Sequence, residues 1–212
     1  MGNSKKSDMR DWATSLERHL SAYRRSGFEI KGPGIKPPKP PRSSDLPDEL
    51  RRFYATACSS AQVTFYKEFP QNALPLDDGA FCGCIKIVSE AKQKRVKQEL
   101  IETVRNTWLA ADAVQRELWL AATPFLELKN GDYIGIGKGE RIWYLSHDEE
   151  SFLLAKSLAD WLDYWRSVFF IGPEWWVLDP VLTRSGLVTR ARRKVVAFRR
   201  SVAKLLPIGK LT

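Results

Sequence analysis

Two histidines, His19 and His147, and three cysteines, Cys58, Cys82 and Cys84, are the side chains here best suited to nucleophilic or metal chemistry. His147 precedes Asp148, a step found in metal-dependent phosphohydrolases. That chemistry needs several more His and Asp ligands than the chain supplies. Cys82 and Cys84 stand two apart on an apparent strand and so share a face, with no Cys or His pair nearby to complete a zinc site. They read as half-buried strand thiols. A cysteine–histidine hydrolase needs a third group to orient its histidine, and none suggests itself. Gly131, Gly135, Gly137 and Gly139 surround Lys138. No Ser or Thr follows that lysine and a hairpin follows in place of a helix, so no phosphate loop is made. The expectation is a non-enzyme with no cofactor, no metal and no small-molecule substrate.

The remaining candidates are binding groups. Trp161, Trp165, Phe169, Phe170, Trp175 and Trp176 fall within sixteen residues, and most should be core. Trp175 and Trp176 are adjacent, and on an extended segment both cannot face inward. An exposed one is a natural anchor for a protein partner. Asp77, Asp78, Asp148, Glu149, Glu150 and Glu174 are the acidic groups clustered enough to meet a basic partner such as a nuclease. With Trp175 and Trp176 they form the candidate partner-binding set.

The net charge of +9 is confined to one end. Nine basic and no acidic residues lie between Arg184 and Thr212, including Arg190, Arg192, Arg193, Lys194, Arg199, Arg200 and Lys204, while the rest of the chain is balanced. Val188, Ala191, Val195, Phe198, Val202 and Leu205 recur at helical spacing along that tail. Two readings stay open. The helix can lie on an anionic membrane surface, an acidic partner or nucleic acid. Alternatively, its apolar stripe packs on the domain with the arginines outside.

The positioning elements follow from periodicity. Met9 to Tyr23 predicts an amphipathic helix with Trp12, Leu16, Leu20 and Tyr23 on one side. GFEIKGPGIKPPKPPRSSD reads as a Gly- and Pro-rich linker, extended over PPKPP. Pro47 suits the first turn of a helix that buries Leu50, Phe53 and Tyr54. Gln62–Phe69 and Ala80–Val88 read as strands around an Asp77-Asp78-Gly79 loop. A helix from about Ser89 to Ala111 places Val96, Leu100, Ile101, Val104 and Trp108 inward. Asn130-Gly131 predicts a two-residue type I′ hairpin with Phe125 opposite Ile136 and Leu128 opposite Tyr133. After a strand at Arg141–Leu145, Ser146-His147-Asp148-Glu149 has the form of a capping box. The helix it opens carries Leu154, Leu158, Trp161, Leu162 and Trp165, and ends at Gly172-Pro173.

The NGDY turn, the strand ending in His-Asp, and the segment LAKSLADWLDYW resemble the SUKH superfamily, as does DLPDELRRFYATACSSAQVTF from Asp45 to Phe65. The resemblance covers Leu46 to Leu178. Ser59-Ser60 departs from the glycine-rich turn common in that family, and both ends of the chain extend beyond the match. The resemblance implies a curved, mainly antiparallel α+β domain over residues 45–180, helices mostly on one face. Segments 1–44 (helix and linker) and 181–212 (basic helix) flank it. It further implies specific protein binding, either as an immunity protein that neutralises a cognate bacterial toxin or as a regulatory scaffold of the Smi/Knr type. The odd cysteine count, and an opening segment unlike a secretory leader, give a reduced, cytoplasmic setting as the expectation.

Overall fold

Seven strands form one open antiparallel sheet in chain order: β1 (Glu29–Lys36), β2 (Ser60–Glu68), β3 (Ala80–Ile87), β4 (Thr123–Glu127), β5 (Tyr133–Ile136), β6 (Ile142–Leu145) and β7 (Phe152–Ala155). The computed structural model describes residues 9–179, 181 and 192–206. Helices α1 (Arg10–Arg25), α2 (Asp48–Thr56), α5 (Leu158–Ser167) and α7 (Arg192–Leu205) pack into the core on one face, with the short α6 (Trp175–Leu178) beside them. Helices α3 (Glu90–Asn106) and α4 (Ala113–Ala121) cover the central strands from the other side. The α+β class is the one expected.

Strand alternation decides which residue meets which layer. Ile134, Ile136, Ile142 and Tyr144 enter the larger core, while Tyr133, Trp143 and Leu145 meet Val96, Leu100, Val104, Leu109 and Trp119. In α1 the helical spacing buries Trp12, Leu16, Leu20 and Tyr23 as read from sequence, and α2 likewise buries Leu50, Phe53 and Tyr54. Each such side chain removed from water stabilises by roughly 1.5–3 kcal/mol. The larger core is continuous from Met9 to Leu206, so the two flanking segments share one core with the central domain. Among the described residues, no helix is long and apolar enough to cross a membrane.

Several local expectations are corrected. The first half of the supposed linker is the edge strand β1, antiparallel to β2, with a register shift between Lys31 and Gly34. Pro33 lies at that irregularity, where an edge strand tolerates a missing N–H. The exposed PPKPP stretch has no regular structure and is tied down by Lys39 N donating to Tyr54 O (2.8 Å) and by Arg42 and Ser43 N donating to Glu90 Oε1 (2.6 and 2.7 Å). Pro47 is the N-cap of α2, one position before its first turn. Helix α3 ends at Asn106, short of Ala111. A 3₁₀ turn at Trp108–Ala110 and the Asp112-capped α4 follow, and Trp108 is 39% exposed.

The β4–β5 hairpin has a three-residue loop, not a type I′ turn. Gly131 N donates to Leu128 O (3.3 Å), Leu128 N donates to Asp132 O (3.0 Å), and Gly131 alone takes a positive φ, of 91°. The pairing is therefore Glu127 with Tyr133 and Thr123 with Ile136, with a bulge between Pro124 and Leu126. The capping-box motif opens no helix. Ser146 Oγ does accept Glu149 N (3.1 Å), but the chain continues into β7, which holds Leu154, and α5 begins after Ser157, whose hydroxyl accepts Asp160 N (3.1 Å). Helix α5 ends at Ser167, where Phe169 and Phe170 reverse the chain at φ of 59° and 62°, ahead of Gly172.

Of the two readings of the tail, the buried stripe is the one adopted. Val195, Phe198 and Val202 are core, while Leu205 is 36% exposed and Leu206 takes its place inside. Arg184, Val188, Arg190, Ala191, Lys210 and the side chain of Arg192 lie outside the described residues.

Candidate functional site

The chemistry-bearing residues near His147 are organised by a carboxylate that the sequence presents as a mere turn residue. Asp132 is 1% exposed and gathers four donors or partners. Its Oδ1 accepts His147 N (2.9 Å) and meets His147 Nδ1 (2.7 Å), while Oδ2 accepts Tyr144 OH (2.9 Å) and Asn130 Nδ2 (2.5 Å). The positions make local sense. The loop brings Asn130 over Asp132, whose N–H donates to Asn130 Oδ1 (3.2 Å), and the β5–β6 pairing lays Tyr144 and His147 alongside. His147 thus serves the hub and caps no helix. Its Nε2 lies 3.1 Å from Asp148 Oδ1, so both ring nitrogens face carboxylates and neither is directed at a hydroxyl or thiol.

The segment after His147 is held by a second set of bonds. Trp108 Nε1 donates to His147 O (2.7 Å), Trp119 Nε1 and Ser146 N donate to Ser151 Oγ (3.0 and 3.2 Å), and Ser151 N donates to Gln115 Oε1 (3.0 Å). The exposed carboxylates of Asp148, Glu149 and Glu150 therefore project from a turn fixed at both ends and from beneath. Such preorganisation lowers the ordering cost of binding. Asn130-Gly131-Asp132 was the sequence signal for this arrangement. The partners Tyr144, Gln115 and Ser151 carried none.

Trp176 is 47% exposed and Trp175 half-buried, so one of the adjacent tryptophans does point outward. Trp176 and Val177 share a surface depression of about 210 Å³ with Leu76, Asp77 and Asp78. Aspartates nearly a hundred residues earlier in the chain are thus brought beside the aromatic anchor. Glu174 is not available as a surface contact, because it is only 6% exposed. It stands between the two acidic sets, within electrostatic reach of Asp132 and of Cys82, which Asp78 also influences.

Burial raises the Glu174 carboxyl above its usual 4.5, opposed by backbone N–H groups of Glu174 and Lys129 and by the Lys129 charge. One oxygen, Oε1, has no hydrogen-bond partner. A carboxyl raised by folding contributes stability that is present below pH 4.5 and lost as the pH rises through the folded value. Glu174→Gln is accordingly expected to raise the melting temperature at pH 7.5 by about 2–4 °C, the shift that ~1 kcal/mol gives in a chain of this size. The advantage should vanish below pH 4.5. Thermal melts across that range check it, and a variant less stable than the parent at pH 7.5 would refute it.

Burial disfavours the thiolate at all three cysteines. Desolvation pushes Cys82 up to about 11 and buried Cys58 up to about 12, and raises Cys84 as well. Among the described residues, no group of three or more His, Cys, Asp or Glu is placed to hold a metal ion. On α7, Arg193, Lys194, Arg200 and Lys204 are exposed, whereas Arg199 turns partly inward over the Phe169 ring, 5.8 Å from its centroid. Comparison of the chain with protein-family models, with curated proteins and with solved structures gives no match.

Proposed function

We propose that the protein is a non-catalytic protein-binding module, and specifically an immunity protein that neutralises a cognate bacterial toxin. The observation that carries this reading is the pairing of an outward Trp176 with Asp77 and Asp78 in one depression, connected to the Asp132 hub that holds the acidic turn Asp148–Glu150 by Trp175 N donating to Tyr144 OH at 3.4 Å. An aromatic anchor with an acidic surround suits a basic active-site cleft, the surface a nuclease toxin presents. The raised thiols and the carboxylate-capped histidine fit a site that binds and does not turn over. The SUKH-like motifs in the sequence support the same class.

A regulatory scaffold of the Smi/Knr type is the second reading, favoured by the outward charges of Arg193, Lys194, Arg200 and Lys204. With Val195, Phe198 and Val202 in the core, attachment to an anionic membrane or nucleic acid would be electrostatic, without insertion of the helix.

The test is titration calorimetry with the cognate toxin domain, together with rescue of growth. Trp176→Ala, and charge reversal at Asp77 and Asp78 or at Glu149 and Glu150, are expected to weaken binding. The tryptophan should account for about 2 kcal/mol or more. Full affinity in all three variants, each still folded, would defeat this placement of the interface.

A further inference from the structure

A second cavity, lined by residues of α1, α5 and α7, shares no lining residue with the Trp176 depression or the Asp132 hub and is independent of the protein-partner reading. It has a volume of about 520 Å³ and is lined by Arg18 and His19 from α1, Arg166 from the last turn of α5, Phe169, and Arg199 from α7. Each of three helices sends one guanidinium into it. Asp11 and Asp163 line it as well. Asp163 Oδ1 holds only Arg166 Nη2, at 3.0 Å, which leaves the rest of that guanidinium available. Arg18 makes no ion pair among the described residues, and Arg199 is preset against the Phe169 ring.

We infer that this cleft is a binding site for a small phosphorylated molecule of mononucleotide or sugar-phosphate size. The volume falls within the range of small-molecule sites and far exceeds that of one bare phosphate. Planar guanidiniums match phosphate oxygens two bonds at a time, and three of them from different directions define a position as well as a charge.

His19 reports the local field. It is 3% exposed, and its Nδ1 is bonded to Ser15 O at 2.7 Å, which commits that nitrogen to the helix backbone. Burial, and then Arg18, Arg166 and Arg199, lower its pKa, against the raising effect of the Ser15 bond. The three arginines therefore act on the ring together even with Asp11 and Asp163 in the same cleft. The floor is rigid. Phe169 sits at φ 59°, a region costly for a bulky residue, and Tyr23 OH donates to its carbonyl at 2.7 Å.

The full-length protein should be titrated with AMP and with inorganic pyrophosphate, following heat, melting temperature and the two histidine ring signals by NMR. Binding of either probe is expected, with the His19 pKa moving upward as the anion offsets the arginines. Arg18→Gln and Arg199→Gln should each weaken binding about tenfold, the loss of one charge-assisted contact. Lys204→Gln, an exposed charge elsewhere on α7, should leave it unchanged. Arg18 is exposed, so its variant folds even if Arg199→Gln disturbs Phe169. Pyrophosphate binding without AMP binding would still uphold the phosphate site. Absence of binding by both probes at about 10 mM, some tenfold above the weakest useful affinity, would overturn the inference. So would equal weakening by Lys204→Gln, which would reduce the effect to overall charge. Neither result bears on the Trp176 interface.

Discussion

Asp132→Ala is expected to destabilise the protein by about 3–5 kcal/mol, the usual consequence of removing one member of a buried ionic or charge-assisted cluster. The wild-type carboxylate satisfies Tyr144 OH, Asn130 Nδ2, His147 N and His147 Nδ1 in a site that is 1% exposed to water. Alanine leaves the buried Tyr144 hydroxyl without its acceptor and without solvent to replace it, while Asn130 and His147, both half-buried, lose theirs at the edge of water. The Tyr144 hydroxyl loses most, because it is fully buried and Asp132 Oδ2 is the acceptor of its proton. Urea denaturation of the two proteins measures the difference. A loss below about 1 kcal/mol would mean that the hub is a bystander, since that is the worth of one ordinary hydrogen bond. The same variant should also loosen the Asp148–Glu150 turn. Hydrogen exchange at His147 and Glu149 would then rise before global unfolding.

Phe198→Ala should have an effect of the same size. Phe198 is fully buried, its ring 6.2 Å from Phe81 at 17° and 6.0 Å from Phe169. Truncating a buried phenylalanine costs about 3–5 kcal/mol. In a chain of this length ~3 kcal/mol lowers the melting temperature by about 10 °C. Deleting residues 187–212 removes Val195 and Val202 too and should cost at least as much. A helix held only by its charges on an external surface predicts the opposite, a melting temperature untouched by Phe198→Ala. Differential scanning calorimetry separates the two, and an unchanged transition would return α7 to the surface-binding role.

The helices that the chain announces are those with a long apolar stripe. Trp12, Leu16, Leu20 and Tyr23 repeat at helical spacing, as do Val96, Leu100 and Val104, and each set is buried as the repeat implies. Strands β2 and β3 were equally legible, because Val63 and Phe65 alternate with Gln62, Thr64 and Tyr66, and Phe81, Ile85 and Ile87 recur at even spacing along β3. This information is local, carried by period and side-chain type, and it suffices for the α+β class. Helix α4, as long as α2, buries only Gln115 and Trp119 and so shows no apolar stripe, and the four-residue β7 is too short to be told from the start of the helix that follows.

What the tertiary structure decided is of another kind. Glu29–Lys36 has the composition of a linker and becomes a strand because the open edge of β2 supplies the hydrogen-bond partners that its own sequence cannot favour. Ser146 and Glu149 form the first bond of a helix cap, yet pairing with β6 draws Phe152–Ala155 into the sheet instead. Gly83 shows the same dependence on distance. A Cβ there would come within 2.5 Å of Phe170 O, because Gly172 pairs with β3 where β4 has diverged. The site residues follow this rule. Asp77 meets Trp176, Asp132 meets Tyr144 and His147, and Arg18 meets Arg166 and Arg199 only after the sheet and its helices close. Periodicity fixes which face of an element is buried, but the burial of Asp132 or Glu174 and the convergence of three arginines are sums over distant segments. No local window of the chain contains those sums.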